Sequence, residues 1–289
     1  MSGTPQSIFT ALGFVLLSLF FPPLGILSGA VIALIALREG YYKASLVTVI
    51  LIAAMSLLAK LIAQPASLGL LSGFVQWVPV LLLATVLRIT SSWTSVTQLL
   101  LATALAVILI AHTVVPDLPG YWTGVLVKHV QPMFEQAGMS GMEIERVLPE
   151  LARVMTGVVV ASITVSTFLM LMLGRAMQAS LYNPGGFAEE FAGLRMGLWP
   201  SGLALALVLM ATLLRQAIVI EAVVVVFGLF FFQGLAVIHG LSRLLKWPAS
   251  ILFVLYVMLV LLFTPIAAML AVMGLIDAFA DFRSRFAGQ

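Results

Sequence analysis

Apolar runs longer than about 18 residues, the length that marks a membrane-spanning helix, recur from end to end of this 289-residue chain. One of them, Ala217–Ile238, is interrupted only by Glu221 and Gln233. With 62% of its residues hydrophobic and 9% charged, the chain lacks the polar surface that a soluble domain needs. The reading is an all-α, polytopic helical bundle, a single transmembrane domain over residues 1–289 whose first partner is the lipid bilayer. The net charge of +3 is small and spread out, so no nucleic-acid partner is expected. The absence of cysteine excludes disulfides, thiolate catalysis and thiolate metal sites. Met1–Thr10 carries no Lys or Arg, so it lacks the basic region of a cleavable signal and is expected to remain in the mature protein.

Length decides how the two ends must fold. As one helix, Ile8–Leu37 would run about 45 Å against a hydrocarbon core of about 30 Å, and Pro22-Pro23 cannot sit in a helix interior. Two short helices, Pro5–Phe21 and Leu24–Leu37, are predicted, hinged at the prolines. Pro248–Ala280 would run about 50 Å and is split around Pro265 into Pro248–Phe263 and Pro265–Ala280. Between these ends lie Ala44–Ala63, Leu68–Leu87, Val96–Val115, Val154–Leu173, Ser201–Leu214 and Ala217–Ile238. The count is ten, or eight or nine where an end pair forms one kinked span. Gly25 and Gly29 make a small-xxx-small pair suited to close helix packing.

Two long breaks divide the apolar runs. Pro116–Glu150 reads as a helical insert of two helices parted at Gly138–Gly141. Ser140 and Glu143 match the capping box S-x-x-E, and the second helix runs on into the Val154 span with a kink at Pro149. The other break covers residues 182–198. Pro184 restricts Asn183 to extended or turn geometry, and Gly185 and Gly186 permit a reversal. Phe187, Phe191 and Leu194 then share one face of a short helix, with Glu189 and Glu190 in its first turn and Arg195 near its end. Such a helix is expected to lie in the membrane interface. If Arg38 and Lys43 are cytoplasmic, alternation puts Arg88, Arg175, Arg195, Arg243, Lys246, Arg283 and Arg285 on the same side. Residues 116–150 are then extracytoplasmic and 182–198 cytoplasmic.

Candidate site residues follow from where polar groups fall. Glu221 lies about one turn inside an apolar span, where a carboxylate must be paired or face the bundle interior. Arg215, six residues earlier, is out of register for an (i, i+4) pair, so a partner from another helix is needed. Lys60 is the only other strong charge placed within the bilayer. Gln76, Gln98 and Gln233 complete the candidate intramembrane set. His112 and His239 fall near opposite membrane faces, with His239 expected to bond near Arg243. Asp277 and Asp281 stand at (i, i+4), with Arg285 four residues further on, which suits a salt-bridged helix end. No H-x-x-x-H, H-E-x-x-H, G-x-S-x-G or P-loop pattern occurs, so neither a metal nor a cofactor is expected, and no nucleophile–base constellation marks an enzyme.

The run Leu181-Tyr182-Asn183-Pro184-Gly185-Gly186-Phe187, with Glu190-Phe191 and Leu194-Arg195-Met196-Gly197, resembles the YybS-like family of membrane proteins. So do the ending Gly274-Leu275-Ile276-Asp277-Ala278-Phe279-Ala280-Asp281-Phe282-Arg283-Ser284-Arg285 and the early Pro22-Pro23 with Arg38-Glu39-Gly40. The likeness is to the proteobacterial branch and implies a bacterial inner-membrane location. It singles out Asn183, Pro184, Gly185, Gly186, Glu190 and Arg195 as one motif, and Asp277, Asp281, Arg283 and Arg285 as another. That family is a domain of unknown function, loosely associated with the substrate-binding subunits of energy-coupling-factor vitamin transporters. This chain is longer than those subunits and carries no coupling motif. Two functions are weighed. One is a transport or small-molecule-binding component, requiring Glu221, Gln76, Gln98 and Lys60 to line one void. The other is a structural or assembly protein, in which those residues are scattered and individually satisfied, with another membrane protein as partner.

Overall fold

Proline and glycine decide where the helices stop. The computed structural model describes residues 4–18 and 20–287; Leu19, inside the first expected helix, lies outside them. Helices α1 (Thr4–Ser18) and α2 (Gly25–Glu39) are separated by a 3-10 turn, Pro22–Leu24, so the prolines act as the expected hinge. Next come α3 (Tyr41–Leu61), α4 (Ala66–Thr90) and α5 (Trp93–Val114). The insert holds α6 (Leu118–His129), α7 (Gln131–Gln136) and α8 (Gly141–Ala152). Then follow α9 (Met155–Tyr182), α10 (Gly186–Ala192), α11 (Leu198–Leu214), α12 (Ala217–Leu244), α13 (Ala249–Leu261), α14 (Phe263–Ala280) and α15 (Phe282–Ala287). No strand occurs among the described residues.

Among the described residues seven helical segments are long and apolar enough to cross a membrane, and α1, α11 and α13 are shorter apolar helices. The chain is a multi-pass membrane protein. The C-terminal apolar stretch breaks at Leu262 (φ −130°), two residues earlier than the proline split places it. Pro265 therefore falls in the first turn of α14, where its missing N–H has no intrahelical partner to lose.

Helices α2 and α12 are the most enclosed spans, and α9 lies between them. Helices α3 and α4 pack on the α2 side, α11 and α14 on the α12 side, and α5 touches α4, α9 and α12. The crossings are set by glycines. A Cβ on Gly29 would run into the Met170 side chain, and one on Gly174 would lie 2.9 Å from the Ala30 carbonyl oxygen. Between α12 and α14 the fit is closer: a Cβ on Gly234 would strike the Leu270 carbonyl, and one on Gly274 the Phe230 carbonyl. Without a hydrophobic force between helices in lipid, such backbone approach supplies the packing attraction.

The insert folds around its own small core of Leu126, Ile144 and Leu148. It contains three helices rather than two, because α6 and α7 part at Val130. The break at Gly138 (φ +82°) and the capping box stand as read. Ser140 Oγ accepts from the Glu143 amide at 3.4 Å, and the Glu143 carboxylate accepts from the Ser140 amide at 2.8 Å. Pro149 does not kink a continuous helix; α8 ends at Ala152 and a turn separates it from α9. Trp122 Nε1 donates to Thr156 Oγ1 at 2.9 Å and ties the insert to α9.

Gly234→Ala should lose about 1–3 kcal/mol of stability, because backbone stands where the methyl must go. Gly202→Ala, in α11 with open space around it, should gain up to about 1 kcal/mol from helix propensity. Thermal unfolding of the two variants in one detergent checks this; equal midpoints would refute the close crossing.

Candidate functional site

One end of the bundle is closed by the segment that follows α9. Asn183 caps α9, and Gly185 (φ +89°) turns the chain back in a conformation that favours glycine. The segment forms the seven-residue α10 and then runs without regular structure to Gly197. A non-helical backbone at the end of an apolar bundle leaves amides and carbonyls that need partners. Four side chains from other parts of the chain supply partners for five of them.

Thr94 Oγ1 donates to the Arg195 carbonyl at 2.9 Å, and Gln98 Nε2 to the Met196 carbonyl at 3.1 Å. Gln233 Oε1 accepts from the Met196 amide at 2.8 Å. Arg283 Nη1 donates to the carbonyls of Ala192 (2.6 Å) and Leu194 (3.0 Å). Its Nη2 donates to Asp277 Oδ2 at 2.8 Å, an oxygen that also accepts from Gln233 Nε2 at 3.3 Å. Arg283 and Asp277 are both buried. Outside this layer Arg195 grips Asp281 with both Nη atoms, at 2.8 and 2.5 Å. On the α9 flank, Glu190 accepts from Arg175 through both carboxylate oxygens and from Trp93 Nε1 at 3.1 Å. The remaining acid of α10, Glu189, pairs with Arg243 at 3.0 Å.

The two sequence motifs are therefore one cap. Glu190 and Arg195 of the first meet Arg175 of α9 and Asp281 of the second; Asp277 and Arg283 hold the backbone between them. Two expectations are corrected. Helix α10 ends at Ala192, so Leu194 does not share its face but follows it; Phe191 packs on the core, and Leu194 and Met196 are buried. The (i, i+4) partner expected for Asp281 is also different. Arg285 is exposed, and Asp281 pairs with Arg195. The reason is a helix break at Asp281 (φ +46°), which starts α15 and swings Arg283 inward.

The intramembrane set does not gather. Glu221 is 2% exposed and faces the bundle, as expected, but its partner is His112 Nε2 at 2.7 Å from the end of α5. Lys60 is exposed and has no part in the pair. Gly157 of α9, whose Cβ would collide with the Glu221 backbone, provides the close approach there. Gln76 donates to the Gly25 carbonyl at 3.1 Å, elsewhere in the bundle. Only Gln98 and Gln233 converge, on Met196. The placement of His112 and His239 at opposite ends stands. His239, one turn from Arg243 on α12, bonds to the Leu235 carbonyl through Nδ1 (2.8 Å) and to the Tyr256 hydroxyl through Nε2 (3.2 Å).

One large concavity was not foreseen from the sequence. It is an apolar groove of about 1120 Å³ between α9 and the α13–α14 pair, floored by α12 and ended by α10. Phe227, Phe231, Leu235, His239 and Arg243 all line it. They recur every four residues along α12, and that row was the sequence signal: an apolar stripe that ends in a histidine and an arginine. Directly beyond Arg243 lies a second pocket of about 500 Å³, lined by Arg195, Arg243, Arg283 and Glu189.

Arginine holds the Glu190 and Asp281 carboxyls below their ordinary range, Arg175 in the first case, with Trp93 adding to it, and Arg195 in the second. A carboxylate whose folded pKa is depressed stabilises the fold fully above its unfolded pKa and loses that contribution as pH falls through the folded one. Both pairs should therefore hold at neutral pH and loosen in acid, starting below about pH 4. Hydrogen exchange at residues 183–197, corrected for intrinsic rates, should show protection falling in that window, and Asp281→Asn should lower it at neutral pH. Protection that is independent of pH and unchanged in the variant would refute the arrangement.

The chain matches no protein-family model, no curated protein and no solved structure.

Proposed function

We propose that this is a bacterial inner-membrane protein that binds an amphiphilic small molecule taken sideways from the bilayer, the binding component of a transport or lipid-handling process. The observation that carries this reading is the groove. It is larger than the roughly 300–1,000 Å³ of ordinary small-molecule sites, apolar along its length and polar at one end, where His239, Tyr256 and Arg243 stand. The YybS-like resemblance supports an inner-membrane setting. Nine of the fourteen Lys and Arg residues belong to loops and helix ends at the capped end, which supports a cytoplasmic cap and an extracytoplasmic insert under the positive-inside rule. A water-filled path for a polar solute gains no support, because Glu221, Gln76, Gln98 and Lys60 line no common void. That same scattering favours a second reading, a scaffold that assembles with another membrane protein and whose polar residues only join helices.

Protein extracted in mild detergent should retain a bound amphiphile, read as an added mass under native mass spectrometry. Ala268→Trp, at an exposed position lining the groove, should displace it without unfolding the bundle. No retained ligand, and no change in the tryptophan variant, would favour the scaffold.

A further inference from the structure

We infer that the amphiphile is a lipid with an anionic phosphate headgroup, and that the Arg195–Arg243–Arg283 pocket is its headgroup site. This rests on the groove being a binding site, and adds the chemical class of what binds. The groove and the pocket are neighbours that share Arg243. Helix α10 separates them by its two faces. Phe187 and Phe191 line the groove, whereas Glu189 and Ala192 line the pocket. A lipid lying along α12 would place its chain against the phenylalanines and its head among the guanidinium groups.

Three observations select an anion. The pocket presents three arginines and a single carboxylate, Glu189. The counter-ions of two of these arginines, Asp277 for Arg283 and Asp281 for Arg195, are not among its lining groups, so Glu189 is the one acid that stands against an arriving anion there. Arg283 adds a direct sign of a missing acceptor. It is 7% exposed, and its Nε is the one buried side-chain nitrogen or oxygen without a hydrogen-bond partner among the described residues. A buried N–H left bare is costly, and a phosphate oxygen is a strong acceptor for it. Planar guanidinium forks match a phosphate group bidentately.

The length of the groove selects a lipid over a free anion. Its lining on α12 runs from Val224 to Arg243, about 29 Å at helical rise, close to the roughly 30 Å of the hydrocarbon core. One polar element stands between the two compartments, the Glu189–Arg243 pair, whose members are 72% and 48% exposed. An exposed pair is weak, so an arriving phosphate can take the place of Glu189 on Arg243. Glu189 thereby competes with the headgroup, and its removal should tighten binding.

The test measures binding to the purified full chain, by native mass spectrometry, of phosphatidylglycerol, of diacylglycerol with the same chains, and of inorganic phosphate. Phosphatidylglycerol should bind at least about tenfold more tightly than diacylglycerol, the scale of one charge-assisted contact. Inorganic phosphate should not be retained. Arg243→Gln should weaken phosphatidylglycerol about tenfold, Arg243→Lys should restore part of the loss, and Glu189→Gln should strengthen binding. Equal retention of the two lipids would overturn the headgroup assignment and leave the groove as a site for apolar chains. Retention of neither would overturn the groove reading itself. Retention of inorganic phosphate as tightly as the lipid would overturn the choice of a lipid. Loss of binding in Glu189→Gln would overturn the competition.

Discussion

The buried Arg283 guanidinium holds the capped end of the molecule together. One planar group satisfies two backbone carbonyls, at Ala192 and Leu194, and one carboxylate, at Asp277. That carboxylate is shared with Gln233, whose other amide atom holds the Met196 amide. The cap backbone is not helical where it crosses the bundle, so it cannot satisfy itself. An apolar replacement of comparable volume could fill the space, and buried pairs often add little net stability over such replacements. What the ionic arrangement contributes is position. It fixes which carbonyls of residues 192–196 lie over which turn of α12, and with them Glu189, Arg195 and the wall between groove and pocket.

Below the cap the forces are of another kind. The helix contacts rest on glycine-permitted backbone approach at Gly29, Gly174, Gly234 and Gly274, where one methyl would meet a neighbouring helix. Polar groups in the span region form small separate sets: Glu221 with His112, and Gln76 with the Gly25 carbonyl and, together with Trp77, with Ser28. Each removes an unmet polar group from lipid. The apolar groove lies where α9 and α13–α14 stand apart over α12. Helix α10 supplies both the aromatic end of the groove and one wall of the arginine pocket.

Much of this was legible in the sequence, for identifiable reasons. The spans follow from apolar length, the N-terminal hinge from Pro22-Pro23, the Gly138 break and the α8 start from a capping box. Each of these is local, and local chemistry is written in consecutive residues. The inward direction of Glu221 was also legible, since a lipid-facing carboxylate there would have no partner. Its actual partner was not, because His112 lies 109 residues away and only helix order brings α5 beside α12. The Asp281 pairing was missed for a related reason. The (i, i+4) rule assumes a continuous helix, and the left-handed turn at Asp281 ends it. The α12 row from Phe227 to Arg243 was readable as a stripe, but its being left uncovered depends on how far α13 stands from α9, which no local pattern encodes.

The central claim is that Arg283 and Asp277 act as one buried unit that positions the cap. A double-mutant cycle with Asp277→Asn and Arg283→Met, read by equilibrium unfolding in a single detergent, tests it most directly. The account predicts that each single change costs about 3–5 kcal/mol, because it strands a buried partner. It predicts that the double variant costs far less than the two together, leaving a coupling well above about 1 kcal/mol. Costs that simply add would contradict the account, since the two side chains would then be independent and the cap would be held by something else.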